Sequence, residues 1–360
     1  MIYTNLGILC WGIPLSKRIS IYELTLEDLA ERLQNQGAPS FRARQLWNNV
    51  YKRLLNNPEE MTDIPRDLQL RIQEMFTFTS LETQATVRSN DGNTEKILFS
   101  LSDGRSIEAV LMRHQKRRTV CVSTQVGCAM GCVFCATGQM GLERNLSPGE
   151  IVEQVIHFAR YLSIEDKRVT NLVIMGMGEP FHNYQATMQA IETLNDPTGF
   201  KFGSRRITVS TIGIVPMIKR FTQENQQVNL AVSLHAATNE LRSELVPINQ
   251  RYPLNELIPS CKEYVQKTGR RITFEWALVH EVNDGPDQAQ ALVDLIQGLN
   301  CHVNLIPLNP TLGFAGRATS QERVKGFKDF LTDHKIPCTI RVRQGVDINA
   351  GCGQLATEKK

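Results

Sequence analysis

The chain of 360 residues lacks the sequence features of membrane-embedded and exported proteins. No hydrophobic run approaches the length of a membrane span. The apolar stretch from Met1 to Pro14 has neither the basic start nor the cleavage pattern of a signal peptide. The net charge is only +3, which permits nucleic-acid binding without indicating it. These absences predict a cytoplasmic protein with no membrane association.

Permanent disulfides are not expected either. The nine cysteines are an odd number, and in a reducing compartment cysteines serve as ligands, nucleophiles or core residues. Three of them, Cys128, Cys132 and Cys135, lie within eight residues in the spacing C-x3-C-x2-C, and no fourth cysteine stands nearby in the sequence. This triplet is the strongest sign of chemistry in the chain.

Three thiolates without a fourth indicate an incomplete ligand set. Sulfur is a soft ligand that favours zinc or iron–sulfur clusters. A tetrahedral zinc site and a cubane cluster both take four ligands. With three protein ligands, one iron of a 4Fe–4S cluster stays open and can bind a small molecule. A zinc site completed by a distant histidine or cysteine, and three buried free thiols, are the alternatives.

The first part of the chain predicts a small helical unit. Residues 1–20 match no pattern and are expected to be a flexible leader. Helices are predicted within residues 21–80, which would form an accessory domain: 24–36, 41–55 and 65–76. Thr25 is a typical helix cap, Gly37 a typical stop and Pro65 a typical first residue.

Beyond this unit the pattern changes to alternation of polar and apolar residues. Strands are predicted at 95–101, 106–113 and 119–125. The turn signals Asp91-Gly92 and Asp103-Gly104 bound them. We interpret residues 81–118 as a β extension or linker, 119–345 as the core domain and 346–360 as a C-terminal tail.

Helices and strands alternate throughout the predicted core. After the cysteine loop, strands are predicted at 171–175, 206–210, 228–233, 271–278, 302–306 and 339–343. Serial βα units with buried strands predict an α/β fold with a parallel sheet, open or curled into a partial barrel. Reactive loops of such folds cluster at the carboxyl ends of the strands. The cysteine loop and the turn Gly178-Glu179-Pro180 each follow a strand, so we expect both at one rim.

These motifs resemble a known superfamily. A C-x3-C-x2-C loop after a first strand and a Gly-Glu-Pro turn after the next strand are similar to those of radical S-adenosylmethionine enzymes, and Phe134 before the last cysteine fits as well. A narrower resemblance, to the RlmN/Cfr family of radical S-adenosylmethionine RNA methyltransferases, runs from about residue 21 onward. It rests on nine segments in the right order: 40–43, 60–63, 89–92, 121–128, 175–180, 233–236, 246–249, 304–307 and 350–355. Asn349 and Gly351 depart from it, since Asp and Ala are more usual there.

The resemblance implies a fold and two cofactors. The fold would be a partial (β/α)6 radical-SAM barrel with a small N-terminal helical accessory domain. Cys128, Cys132 and Cys135 would hold a 4Fe–4S cluster, and S-adenosylmethionine would bind the open iron. The residues implied to contact this cofactor are Gly178, Glu179, Ser210, Ser233, Leu234, His235 and Asn309.

The resemblance also implies a route for methylating adenine. Cys352 would take a methyl group from S-adenosylmethionine, and a radical formed on that methyl carbon would add to C2 of the base. Cys121 would then attack the Cys352 sulfur in a transient disulfide, and Glu108 would accept the proton. From the residues alone, Cys352 could equally be an idle tail thiol, Cys121 a small core residue and Glu108 an exposed strand glutamate.

The implied partners are RNAs and an electron donor. The family's substrates are an adenine in the peptidyl-transferase region of 23S rRNA and the adenine just 3′ of the tRNA anticodon. Basic clusters at residues 114–118, 204–206 and 269–271 could bind the phosphates. We expect a monomer that takes electrons from a flavodoxin or ferredoxin. The alternatives are C8 methylation, as in Cfr, and a non-catalytic iron–sulfur or zinc protein that binds RNA.

Overall fold

The computed structural model describes residues 18–341 and 344–357. Most of the predicted leader, and the predicted strand end at residues 342–343, lie outside these ranges. No helix within the described residues is long and apolar enough to cross a membrane.

Helices are found throughout the described chain. They are α1 (Leu26–Asn35), α2 (Phe41–Tyr51), α3 (Arg66–Met75), α4 (Ala136–Met140), α5 (Pro148–Ser163), α6 (Tyr184–Asn195), α7 (Val215–Gln223), α8 (Asn239–Leu245), α9 (Leu254–Thr268), α10 (Pro286–Ile296) and α11 (Gln321–Asp333). Short 3-10 turns lie between several of them.

The strands begin before α1 and continue to the tail. They are β1 (Ile19–Ser20), β2 (Phe76–Thr77), β3 (Glu82–Arg88), β4 (Thr94–Ser100), β5 (Ser106–His114), β6 (Arg117–Cys121), β7 (Gln125–Gly127), β8 (Leu142–Asn145), β9 (Asn171–Ile174), β10 (Ile207–Thr211), β11 (Asn229–Ser233), β12 (Ile272–Leu278), β13 (Cys301–Pro307) and β14 (Cys338–Ile340).

Local sequence explains where several helices begin and end. Thr25 closes a capping box on α1, in which its side chain accepts from the Asp28 N–H and the Asp28 carboxylate accepts from the Thr25 N–H. Ser147 and Glu150 form the same motif on α5. The predicted extension of α2 to residue 55 is wrong. The helix ends at Tyr51 because the chain soon reaches Leu54, whose φ of 59° cannot continue a right-handed helix.

The core is built on one ten-stranded sheet with the order β14-β13-β12-β11-β10-β9-β6-β5-β4-β3. Strands β6 and β9 to β14 run parallel, and β3, β4 and β5 add an antiparallel extension at the β6 side. Helices connect the parallel strands and pack against the sheet and one another. The sheet keeps two edges, β14 and β3, so the predicted α/β partial barrel is confirmed as an open one.

The N-terminal helices are attached to this core by polar contacts. The Trp47 indole N–H donates to Asp196 Oδ2 at 2.7 Å, just after α6. Arg160 of α5 donates from Nε to the Leu54 carbonyl at 2.8 Å, and its other side contacts the Tyr22 hydroxyl. The accessory unit therefore has a defined orientation beside the sheet.

We predict that Trp47→Phe lowers the free energy of unfolding by about 2 kcal/mol, because it removes a donor to a carboxylate while keeping an aromatic ring against Tyr51. Urea denaturation measures this change. Phe41→Leu, on the exposed side of the same helix, is the control and should change stability by less than about 0.5 kcal/mol. Equal losses in both variants would contradict the role of the Trp47–Asp196 hydrogen bond.

Candidate active site

A cleft of about 920 Å³ opens at the carboxyl ends of the parallel strands. Loops that follow β7, β9, β10, β11 and β13 meet there, as expected for a parallel sheet. The predicted site residues among those that line it are Cys128, Cys132, Cys135, Gly178, Glu179, Ser210, Ser233, His235, Asn309 and Cys352. Leu234, Cys121 and Glu108 do not line this cleft.

The cysteine loop is held by the hairpin of β7 and β8. The Cys128 N–H donates to the Gly141 carbonyl at 3.0 Å. Gly127, with φ 73°, leaves no room for a side chain, because an added Cβ would lie 1.8 Å from that same carbonyl oxygen. Cys135 occupies the position immediately before α4, and its N–H donates to the Cys132 carbonyl at 3.1 Å. The loop therefore has a fixed shape that presents all three thiols to the cleft.

The three thiols suit an iron–sulfur cluster better than a single metal ion. Burial raises the pKa of Cys132 well above its usual value, and the neighbouring thiols Cys135 and Cys128 raise it further. Soft thiolates beside an open cleft fit a cluster with one free iron. Three ligands would leave a tetrahedral zinc ion short of its fourth, whereas an iron–sulfur cluster with one open iron needs no fourth protein ligand.

Polar atoms on the wall of the cleft with free hydrogen-bonding capacity fit a polar cofactor. Asn309 Oδ1 is buried and has no hydrogen-bond partner among the described residues, and Glu275 Oε2 has no hydrogen bond there, only the Arg341 guanidinium at 3.8 Å. Buried acceptors are normally satisfied, so these two are suited to the donor groups of a bound molecule. The amine and hydroxyl groups of S-adenosylmethionine are donors of this kind.

The Gly178-Glu179 turn is fastened to the next strand. Glu179 Oε1 accepts from the Phe181 N–H at 2.9 Å, and Oε2 accepts from the Ile212 N–H at 2.8 Å. Burial raises the pKa of Glu179 to about 7, although these donors act in the opposite direction. Gly178, with φ 100°, packs so closely that an added Cβ would lie 2.5 Å from Gln125. Both residues thus shape the turn at the cleft.

A row of polar side chains crosses the sheet beneath the cleft. Ser210 Oγ lies 3.4 Å from Ser233 Oγ, and Ser233 is paired in register with Glu275. Glu275 accepts from Asn304 Nδ2 at 3.0 Å and lies 3.8 Å from Arg341 Nη1. Glu275 and Arg341 were not among the predicted site residues. For Glu275, the signal available in the sequence was a charged residue within the otherwise apolar strand β12.

His235 is a neutral histidine in the wall. Its Nδ1 accepts from the Ala277 N–H at 3.0 Å, and its ring meets the edge of Phe134 with centroids 4.8 Å apart. Burial lowers the pKa of His235 to about 3. The neighbouring Leu234 contributes backbone only, since its side chain lies in the hydrophobic core and its carbonyl accepts from Arg242 Nε at 3.1 Å.

The tail carries Cys352 to the rim of the cleft. Asn309 Nδ2 donates to the Cys352 carbonyl at 3.1 Å. The Ala136 N–H donates to the Gly353 carbonyl at 2.8 Å, and Thr137 Oγ1 donates to the Leu355 carbonyl at 2.6 Å. The tail therefore binds both the cysteine loop and the loop after β13. The sequence places these segments far apart, and the fold brings them together.

A second cavity of about 1370 Å³ adjoins the first and shares Cys352, Arg341 and Asn309 with it. Cys121 lines this second cavity, together with the basic residues His114 and Arg117. Cys352 therefore lies where the two cavities meet.

The guanidinium of Arg341 interacts electrostatically with the thiols of Cys352 and Cys121. Arg341 lies close to Cys352, Glu275 and Cys121, and the anionic forms of these groups raise the pKa of Arg341, that of Cys352 most strongly. Burial raises the pKa of Cys121 to about 12, and the neighbouring Cys352 raises it further, while Arg341 lowers it. The two cysteines are thus electrostatic neighbours, and Cys121 is a thiol rather than a thiolate in this arrangement.

Glu108 lies under the tail and lines neither cavity. The expectation of an exposed strand glutamate is wrong, because the residue is only 4% exposed. Lys96 Nζ lies 2.7 Å from Oε1, and the Ala356 N–H donates to Oε2 at 3.0 Å. Burial raises the pKa of Glu108 above its usual value, and Lys96 opposes this shift. Lys96 was not among the predicted site residues.

Two family models match this chain. The model of the radical SAM superfamily matches residues 122–293. The model of the ribosomal RNA large subunit methyltransferase N-terminal domain matches residues 19–78. The first match covers the cysteine loop and strands β7 to β12, and the second covers the helical unit at the start of the described chain.

Individual relatives are similar over nearly the whole chain. The dual-specificity RNA methyltransferase RlmN 1 of Myxococcus xanthus is 46% identical over 343 residues, which are 95% of this chain and 96% of the relative. A probable dual-specificity RNA methyltransferase RlmN of Chloroflexus aurantiacus is 49% identical, over 93% of this chain and 92% of the relative. A crystal structure of a radical SAM methyltransferase from Sphaerobacter thermophilus matches with a TM-score of 0.92 and 50% identity, over 94% of this chain and 99% of that one.

Identity at this level over such coverage shows the family. Radical SAM enzymes use a 4Fe–4S cluster and S-adenosylmethionine, and the three cysteines with the cleft beside them fit both. This chain belongs to the RlmN family of radical S-adenosylmethionine RNA methyltransferases.

Proposed function

We propose that this protein methylates C2 of adenine in RNA, at one adenine of the peptidyl-transferase region of 23S rRNA and at the adenine 3′ of the tRNA anticodon. The observation that carries the proposal is the position of Cys352. It stands between a cavity lined by the cysteine triplet and a cavity lined by Cys121 and basic side chains. The family names of the relatives support an RNA substrate.

The chemistry explains why a cysteine is needed between cofactor and base. C2 of adenine is electron-poor, and so is the methyl group of a sulfonium, so direct displacement between them is unfavourable. A thiolate can accept that methyl group, because sulfur is a good nucleophile. When bound, the cluster and S-adenosylmethionine supply first the methyl group and then a radical able to remove hydrogen from it.

Each residue then has a definite task. The methyl carbon held by Cys352 bonds to C2 and links protein and RNA covalently. Cys121 attacks the Cys352 sulfur, so that an S–S bond forms and the S–C bond breaks. Glu108 accepts the proton that leaves C2, the thiol proton of Cys121 passes to solvent, and the new methyl group takes up a proton from solvent. The one electron left over from the radical addition leaves to a one-electron carrier, such as the proposed flavodoxin or ferredoxin. The disulfide must be reduced before another cycle.

The surroundings of the second cavity support an RNA partner. The positively charged Arg117 lines it together with His114, and Arg341 lines both cavities. Positive side chains near the cavity can bind the phosphates that flank a base outside its stack. Taking the base out of its stack costs a few kcal/mol. We further propose that the protein acts as a cytoplasmic monomer with a flavodoxin or ferredoxin as electron donor.

The site of methylation can be tested in cells that lack the gene. Mass spectrometry of digested rRNA and tRNA should show loss of 2-methyladenosine, and the gene carried on a plasmid should restore it. Loss of 8-methyladenosine instead would contradict C2 methylation and favour the Cfr-type reaction.

We predict that Cys352→Ala abolishes methylated product, because no thiol remains to carry the methyl group. The iron content after anaerobic purification should stay at the wild-type level, since Cys128, Cys132 and Cys135 are intact. Mass spectrometry of RNA from cells that carry the variant measures the methylated product. An iron assay on the purified protein measures the iron content. Unchanged methylation would contradict the role of Cys352 as the methyl carrier, and loss of iron would mean that Cys352 is a cluster ligand.

We predict that Cys121→Ala accumulates protein covalently linked to RNA, because the step that breaks the S–C bond is lost. Denaturing gels with labelled RNA detect the linked species. Cys261→Ala, which removes a thiol buried elsewhere in the core, is the control and should release product normally. Recovery of free protein alone from Cys121→Ala under turnover conditions would remove the assigned role.

A further inference from the structure

A nearly buried ion pair lies beneath the tail. Lys96 Nζ and Glu108 Oε1 are 2.7 Å apart, and their side chains are 13% and 6% exposed. In the antiparallel register Lys96 pairs with Val110, and Val110 pairs with Cys121. Paired residues share a face of the sheet, and so do residues two apart on one strand. Lys96, Glu108 and Cys121 therefore occupy the same face.

The pair binds the tail on both sides of Cys352. Lys96 Nζ donates to the Asn349 carbonyl at 3.2 Å, three residues before the cysteine. The Ala356 N–H donates to Glu108 Oε2 at 3.0 Å, four residues after it. The same two side chains thus fix the tail segment that carries the reactive thiol.

Lys96 is also the charged partner of the Glu108 carboxylate within the described residues. The other groups that face Glu108 are neutral: the Ala356 N–H from the tail, and Ser123 and Met177, which bond its backbone. Burial favours the protonated acid, and Lys96 and Ala356 favour the carboxylate. Without Lys96, only the Ala356 N–H would oppose the effect of burial, so the pKa of Glu108 would rise further.

We propose that Lys96 is a positioning residue, which keeps Glu108 ionised so that it can accept a proton and holds the Cys352 segment over it. This inference rests on the proposed function, in which Glu108 takes the proton from C2. The Ala356 N–H is hydrogen-bonded to Glu108 Oε2. The end of the tail must therefore move before the adenine can reach this oxygen. Lys96 bonds the other oxygen and can stay in place during that movement.

The test uses the full-length holoenzyme with a tRNA transcript as substrate, and compares Lys96→Gln, Lys96→Met and Lys96→Arg. The readout is the pH dependence of methylated RNA release relative to RNA-linked protein. In Lys96→Gln and Lys96→Met, the acidic limb of the pH profile for RNA release should shift to higher pH by about one unit or more. Protein covalently linked to RNA should accumulate at neutral pH. Lys96→Arg keeps the charge and should keep the wild-type limb.

Two controls separate this role from a structural one. Lys267→Met removes an exposed ion pair of the same length, with Glu263, and should leave the pH profile unchanged. Iron content and S-methylation of Cys352, measured by mass spectrometry, should stay at wild-type levels in Lys96→Gln. This variant keeps a donor for the Asn349 carbonyl, so it decides the question if Lys96→Met fails to fold.

Glu108→Gln distinguishes failure of this inference from failure of the proposed function. If Glu108→Gln releases product as the wild type does, Glu108 is not the base, and the proposed release step is wrong. If Glu108→Gln accumulates linked protein while Lys96→Gln keeps the wild-type acidic limb, the role of Lys96 alone is overturned.

Discussion

The hydrogen bonds between the C-terminal tail and the cysteine loop hold the candidate site together. The Ala136 N–H and the Thr137 hydroxyl donate to tail carbonyls at Gly353 and Leu355, and Asn309 donates to Cys352 itself. Each such bond contributes about 1 kcal/mol net. Together these hydrogen bonds stabilise the tail enough to place Cys352 between the two cavities. Their total free energy is still small, so the tail can also leave. In the proposed function Cys352 serves a cofactor and then a base, which requires both properties.

Charged groups are buried near this tail, and hydrogen bonds and ion pairs from neighbouring residues must offset the free energy of their desolvation. Glu108 has Lys96, Glu275 has Arg341 and Asn304, and Arg242 satisfies carbonyls at Ile212 and Leu234. Buried ion pairs rarely add stability compared with apolar packing. The Lys96–Glu108 pair contacts the tail and the Arg341–Glu275 pair lines the cleft, so chemistry or positioning is a reason for these two pairs to be kept.

Parts of the fold and site can be predicted from sequence because they depend on neighbouring residues. The capping boxes at Thr25 and Ser147, the βα alternation and the spacing of the cysteine triplet are all local patterns. The end of α2 lies earlier than predicted, because helical periodicity continues beyond the left-handed residue Leu54. Glu108 has the pattern of an exposed residue because its burial comes from a segment almost 250 residues away in the chain.

Sequence by itself determined the sheet type and the family and predicted the cysteine triplet as a ligand set, since each is encoded in short segments whose order along the chain follows the connections of the fold. Only the tertiary structure decided which distant groups meet. Lys96 and Glu108 beneath Asn349 and Ala356, and Arg341 beside Cys121 and Cys352, depend on strand register and on where the tail returns to the sheet. Register and chain return are set by packing over long sequence separations, which no local pattern records.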